Sequence, residues 1–164
     1  MKHVVLTLLV AAAVVSPAVA DVAGAKKATA EAAQSANLSF PERPPYRNFT
    51  PQQFDLARTR NTNAVVLDVR TRDEFVEGHI PGAVLIDFKA ADFKQKVSQL
   101  DHDKLYLVHC AAGGRSAKAA ELMGTLGFER VFNLEGGMKA WTAAGKPVEK
   151  NGTPKPAPLA PAAK

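Results

Sequence analysis

The 164-residue chain is 46% hydrophobic and 23% charged, values that suit one globular domain with a proper core and leave little room for two. An aromatic share of 7% speaks against a fully disordered chain, and the composition as a whole against a protein with several membrane spans. With Cys110 as its one cysteine, the chain can build neither a disulfide scaffold nor a metal ribbon, and its net charge of +5 is only mildly basic.

Residues 1–20 read as an export signal, with Lys2 and the free amine as the positive end, Val4–Val15 as the apolar stretch and Ala18-Val19-Ala20 as a small-residue cleavage pattern. A membrane anchor is the alternative, but Val4–Val15 falls short of the ~20 residues that cross a bilayer. A periplasmic or secreted product with no remaining membrane span is expected. Loss of Lys2 lowers the net charge from +5 to +4. Lys26, Lys27, Lys146, Lys150, Lys155 and Lys164 lie in the flanks as solvating charges, so nucleic acid is not an expected partner. Residues 21–47 form an Ala/Pro-rich linker. Residues 149–164 carry Pro154, Pro156, Pro158 and Pro161 and read as an extended, disordered tail. The folded unit is then 48–148.

Inside that unit short apolar runs alternate with helical patterns, which predicts an α/β fold: a small parallel sheet with helices on both faces. Ala64–Val69, Ala83–Ile86, Leu105–His109 and Val131–Leu134 are the predicted strands. Thr50-Pro51-Gln52-Gln53 and Thr71-Arg72-Asp73-Glu74 have the form of capping boxes, with Thr at the cap and Gln or Glu three residues on. Phe93, Val97 and Leu100 mark one core-facing helix, and Ala119, Leu122, Met123 and Leu126 a second that Gly127 stops. A last helix is expected over about Gly137–Ala144, with Trp141 buried and Gly145 closing it.

The chemistry concentrates where the strand Leu105–His109 runs into Cys110-Ala-Ala-Gly-Gly-Arg115-Ser116. Ala111, Ala112, Gly113 and Gly114 are small enough for successive backbone N–H groups to surround whatever atom Cys110 carries. A helix starting near Arg115 adds the positive end of its dipole, so the arrangement favours a thiolate, the reactive form of cysteine. The plainer reading is a buried core cysteine. An exported protein keeping one unpaired thiol in a glycine-rich anion loop makes the functional reading the better one.

The sequence resembles the rhodanese family of single-domain sulfurtransferases from Thr50 to about Pro147. Three blocks carry the likeness: Leu67-Asp-Val-Arg-Thr-Arg-Asp-Glu-Phe75 with Gly78-His-Ile-Pro-Gly-Ala83, then Cys110-Ala-Ala-Gly-Gly-Arg-Ser116, then Asn133-Leu-Glu-Gly-Gly-Met-Lys-Ala-Trp141. The resemblance implies that Cys110 takes sulfane sulfur from a small donor such as thiosulfate, holds it as a persulfide and passes it to cyanide, a thiol or a protein acceptor, with no cofactor. It implies a substrate cradle of Ala111, Ala112, Gly113, Gly114, Arg115 and Ser116, with Arg115 as the loop-closing arginine. Phosphatase relatives keep five residues between cysteine and arginine; here there are four, residues 111–114. Ala111 and Ala112 place no cation beside Cys110, where some thiosulfate-using members have one. The other class of function left open is a non-catalytic module of the same fold that binds a partner or carries sulfur.

Asp68, Arg70 and Glu74 are supporting residues that the family places near the active loop. Read from the residues alone, Asp68 and Arg70 end a strand on opposite faces, and Arg70 pairs with Glu74 at i, i+4 to brace the turn. His79 lacks other residues at metal-ligand spacing and reads as structural, so no metal is expected. His109 alternates to the face opposite Cys110 and reads as a satisfied core histidine. Gly136 and Gly137 read as turn residues leading into the last helix.

Overall fold

The computed structural model describes residues 44–161. The export signal and most of the proposed linker lie outside these residues. In chain order the elements are β1 (Arg47–Phe49), α1 (Pro51–Arg60), β2 (Ala64–Asp68), α2 (Arg72–Glu77), β3 (Val84–Leu85), α3 (Phe93–Ser98), β4 (Leu105–His109), α4 (Gly114–Thr125), β5 (Val131–Leu134) and α5 (Gly137–Ala143). The strands form one sheet in the order β1-β5-β4-β2-β3, and every pairing is parallel. This is the expected α/β class, with one strand more than the apolar runs predict. β1 escapes a hydrophobic-pattern reading because Arg47, Asn48 and Phe49 make no apolar run. It is recruited at the sheet edge by β5, with Asn133 Nδ2 donating to Asn48 Oδ1 at 2.8 Å.

Both capping boxes form. Thr50 and Gln53 exchange hydrogen bonds at the start of α1, and Thr71 and Glu74 do so at the start of α2. The predicted strand ends Val69 and Ile86 fall just past the paired ladder, yet their amides still donate to His109 O and Asp68 O. Leu100 is buried as its spacing predicts, but α3 ends at Ser98, so it packs from the turn beyond the helix.

Side-chain alternation along β4 sorts the core onto the two faces. Tyr106, Val108 and Cys110 pack with Phe93, Val97, Ala119 and Met123 beneath α3 and α4. Leu107 packs with Phe54, Phe75 and Trp141 beneath α1, α2 and α5. The chain leaves β2 toward β3 on one side and β4 toward β5 on the other, so the connection reverses direction between β2 and β4. Loops diverge at such a switch point beyond the carboxyl ends of the strands, which opens a crevice there. That crevice is where Thr71 and the loop after Cys110 meet.

Within the described residues, 149–161 do not hang free as the composition suggests. Glu149 and His79 exchange backbone hydrogen bonds at 2.8 and 2.9 Å, Asn151 N–H donates to Val76 O, Lys155 N–H to Ala83 O, and Asp101 N–H to Pro158 O. Prolines lack donors, but their carbonyls and the amides between them remain free to bond to the domain. Among the described residues no helix is long and apolar enough to cross a membrane.

His109 lies on the face opposite Cys110, edge-on to the Phe54 ring, as its position in the strand predicts. It is fully buried, but neither ring nitrogen has a hydrogen-bond partner among the described residues, so the expected satisfied histidine is corrected to an unsatisfied one. Its nearest charge is Asp68, with Oδ2 at 3.7 Å from Nε2. Burial pushes the imidazole down to about 4, against the pull of the Asp68 carboxylate. Well above pH 6.5 it is neutral both folded and unfolded, and as pH falls through 6.5 the unfolded chain takes the proton first. Stability should therefore drop by about 2 kcal/mol between pH 7 and pH 5 from this residue. Denaturant unfolding of wild type and His109→Leu at the two pH values checks it: the variant is expected to lose markedly less.

Candidate active site

Cys110 follows directly on β4 and is only 2% exposed, beneath a loop whose Ala112 and Gly114 face solvent. Gly113 N–H donates to Cys110 Sγ at 3.2 Å, and Ser116 Oγ lies 3.4 Å from the same sulfur. Ser116 Oγ is also 3.0 Å from Gly113 O, so its single proton serves one acceptor at a time. Burial raises the Cys110 thiol, but the Ser116 hydroxyl and the amides of Ser116, Ala112 and Gly113 outweigh it, holding the thiol below its ordinary value. Of the loop amides, that of Gly113 makes the direct hydrogen bond to the sulfur. Gly113 makes the turn possible: it caps α4 with φ +95°, a conformation that costs a residue with a Cβ roughly 1–2 kcal/mol.

Arg115 does not point at the sulfur. Its guanidinium forks onto Glu74, Nη1 to Oε2 at 2.8 Å and Nη2 to Oε1 at 2.6 Å, across 41 residues of sequence. Glu74 also accepts from Thr71 N–H in the α2 capping box. The Arg115 hydrogen bonds lead among the causes that hold the Glu74 carboxyl down at about 2. One carboxylate thus locks the start of α2 to the end of the Cys110 loop, a bidentate geometry that fixes orientation as well as distance.

The expected Arg70–Glu74 pair is corrected by this arrangement. Arg70 turns instead to Asp68, Nε to Oδ1 at 2.9 Å and Nη2 to Oδ2 at 2.6 Å, and Nη2 also reaches Gly78 O at 2.8 Å. Asp68 and Arg70 sit on one side of the chain rather than on opposite faces, because residues two apart in extended backbone point the same way. Both are buried and neutralise each other beneath the turn that carries Thr71.

A third segment was not recognised as part of the site from the sequence. Met138 N–H donates to Cys110 O at 2.8 Å and Lys139 N–H to Ala111 O at 3.0 Å, so the start of α5 pins the carbonyls of the reactive cysteine and of the residue that follows it. Gly136 and Gly137, read as turn residues, both have positive φ, +69° and +57°. A Cβ on Gly137 would lie 2.4 Å from Cys110 O, which places a spatial requirement on top of the conformational one. The Gly-Gly pair was the available signal, although nothing local in it says what it packs against.

A parallel α/β domain with a lone cysteine in an amide-lined loop at the carboxyl edge of its sheet has the frame of a rhodanese-like domain. The family model for the rhodanese-like domain matches residues 50–144, and the chain belongs to that family. It is 42% identical over 82 residues to a putative sulfurtransferase, YtwF, of Bacillus subtilis, covering 50% of this chain and 77% of that protein. It is 33% identical over 99 residues to the thiosulfate sulfurtransferase GlpE of Ectopseudomonas mendocina, covering 60% of this chain and 86% of that one. The crystal structure of a rhodanese-related protein from Thermoplasma volcanium superposes with a TM-score of 0.57 at 34% identity, over 63% of this chain and 98% of that chain. The family thus includes proteins named as sulfurtransferases.

Proposed function

We propose that the chain is an exported sulfurtransferase that moves sulfane sulfur through a persulfide on Cys110. The observation that carries this reading is the convergence of the Gly113 amide and the Ser116 hydroxyl on Cys110 Sγ, in a loop closed by the Arg115–Glu74 pair. Donors fixed before reaction stabilise an anion without the reorganisation that water would need. In the loading step the Cys110 thiolate attacks the outer sulfur of a donor such as thiosulfate. The donor's S–S bond breaks, and sulfite leaves with the electron pair. In the second step an acceptor such as cyanide attacks the outer sulfur of the persulfide, the new S–S bond breaks, and Cys110 Sγ recovers the pair as thiolate. Splitting one transfer into two substitutions at sulfur makes each step easier, and the cysteine itself is the carrier, so the proposal includes no cofactor.

Arg115 serves in this scheme to hold the loop, since Glu74 occupies its fork. Export rests on the leader pattern of residues 1–20, and a periplasmic or secreted location goes with it. Intact-mass measurement tests the central step. Thiosulfate should add one sulfur atom to the protein, and cyanide should remove it with release of thiocyanate. A mass that stays constant with thiosulfate and with other sulfane donors would sink the persulfide.

A further inference from the structure

The helix that holds Arg115 is poorly equipped to hold itself. α2 is six residues long, and a helix of that length has too few internal hydrogen bonds to persist without outside partners. Its first turn is secured by the Thr71–Glu74 capping box and by Arg115. At its other end Phe75 O accepts from Gly78 N–H at 3.2 Å and from His79 Nδ1–H at 2.9 Å. Val76 O is served from much further along the chain, by Asn151 N–H at 3.0 Å.

The segment that brings Asn151 there lies beyond residues 50–144, which the family model matches. Two features of its backbone fit it to this place. Asn151 is the one non-glycine residue with a positive φ among the described residues, +56°, a conformation that asparagine tolerates better than most residue types. Gly152 follows it, and a Cβ there would lie 2.7 Å from the His79 ring. That ring has no room to yield, being 2% exposed and stacked 3.7 Å from Phe75. Glu149 and His79 exchange backbone hydrogen bonds on one side of this approach, and Lys155 N–H donates to Ala83 O on the other.

The structure assigns residues 149–152 the part of a detached C-terminal cap for α2 and, through α2, of a positioning element for the Cys110 loop. Asn151 and Glu149 hold Val76 and His79, and His79 holds Phe75 by its ring and its Nδ1–H. These fix the helix whose Glu74 takes both arms of the Arg115 guanidinium. Arg115 in turn sits between Gly113 and Ser116, which supply the amide and the hydroxyl facing Cys110 Sγ. Every step in this chain is a direct contact, so loosening the cap loosens the donors around the sulfur. The inference rests on Cys110 being the reactive group, as proposed above.

The test uses the full chain and three substitutions. Asn151→Val puts a β-branched residue where φ is positive and should drive the segment off α2, whereas Asn151→Gly keeps both the turn and its N–H. The Asn151 side chain is exposed, so both changes act through the backbone. Gly127→Ala imposes a comparable conformational cost at the opposite end of α4, where φ is +90° and the missing Cβ would meet only His102 Nδ1 at 3.9 Å. The readouts are the pH midpoint of Cys110 alkylation and kcat with thiosulfate and cyanide, at a temperature where all the proteins are folded. In Asn151→Val the midpoint should rise toward that of a free thiol and kcat should fall roughly tenfold or more, while Asn151→Gly and Gly127→Ala stay within about twofold of wild type. An Asn151→Val protein that matches Gly127→Ala in both readouts overturns the proposal and leaves the segment a strap that contributes stability alone. If Asn151→Val does not fold, Asn151→Ala, with its smaller conformational cost, is judged by the same two outcomes. A wild type that transfers no sulfur sinks the sulfurtransferase reading, and the alkylation midpoints still decide whether the cap positions the loop.

Discussion

Cys110→Ser is expected to abolish sulfur transfer, lowering turnover with thiosulfate and cyanide by at least about three orders of magnitude. A serine hydroxyl ionises far above the range in which the loop can favour the anion, and an oxygen at this position cannot carry sulfane sulfur and return as a good leaving group. The fold should survive. Serine is close to cysteine in size, and the Gly113 amide and Ser116 hydroxyl that now face Sγ offer hydrogen bonds to an oxygen there. Stability should change by no more than about 1 kcal/mol, as for a substitution that leaves no cavity and no unpaired group. Steady-state thiocyanate formation together with a denaturant melt checks both halves. A serine variant that turns over at the wild-type rate would remove Cys110 from the chemistry, whereas one that is inactive because it is unfolded would show in the melt.

Gly137→Ala is expected to destabilise the domain by about 3 kcal/mol or more and to disorganise the loop. Holding a Cβ-bearing residue at φ +57° costs roughly 1–2 kcal/mol. The added methyl would also lie 2.4 Å from Cys110 O and 2.8 Å from Ala112 N, both backbone atoms that cannot swing aside as a side chain can. Relief requires α5 to move away, which breaks the bonds from Met138 N–H to Cys110 O and from Lys139 N–H to Ala111 O. Gly145 separates the two costs, because it has a similar φ of +65° but open space around its missing Cβ. Gly145→Ala should lose only the conformational part. Denaturant midpoints of the two variants, with the pH dependence of Cys110 alkylation in each, measure the difference. If Gly137→Ala is no worse than Gly145→Ala and alkylates as wild type does, the close approach of α5 does not organise the site.

How much of this was legible beforehand depended on the range of the interaction involved. β2, β4 and β5 could be placed from apolar runs, and α1 and α2 from capping boxes, because strand burial and helix caps leave their pattern within a few residues. The Cys110 loop was equally local: a strand, a nucleophile, small residues and a helix start lie next to one another in the chain. His109 was placed on the correct face by simple alternation, but its missing hydrogen bonds depend on what the opposing helices do not supply.

Local patterning is enough to establish the α/β class, the sheet's central strands and the position of Cys110 at a strand-to-helix turn, since these follow from side-chain periodicity and backbone conformational preference over short spans. Long-range packing alone sets Arg115 on Glu74, Arg70 on Asp68 and the start of α5 on the loop carbonyls. Each of these is a choice among several chemically equivalent partners, and Arg70 had two carboxylates within reach. The choice is made by which groups the parallel sheet carries to the same edge, information that no single stretch of chain contains.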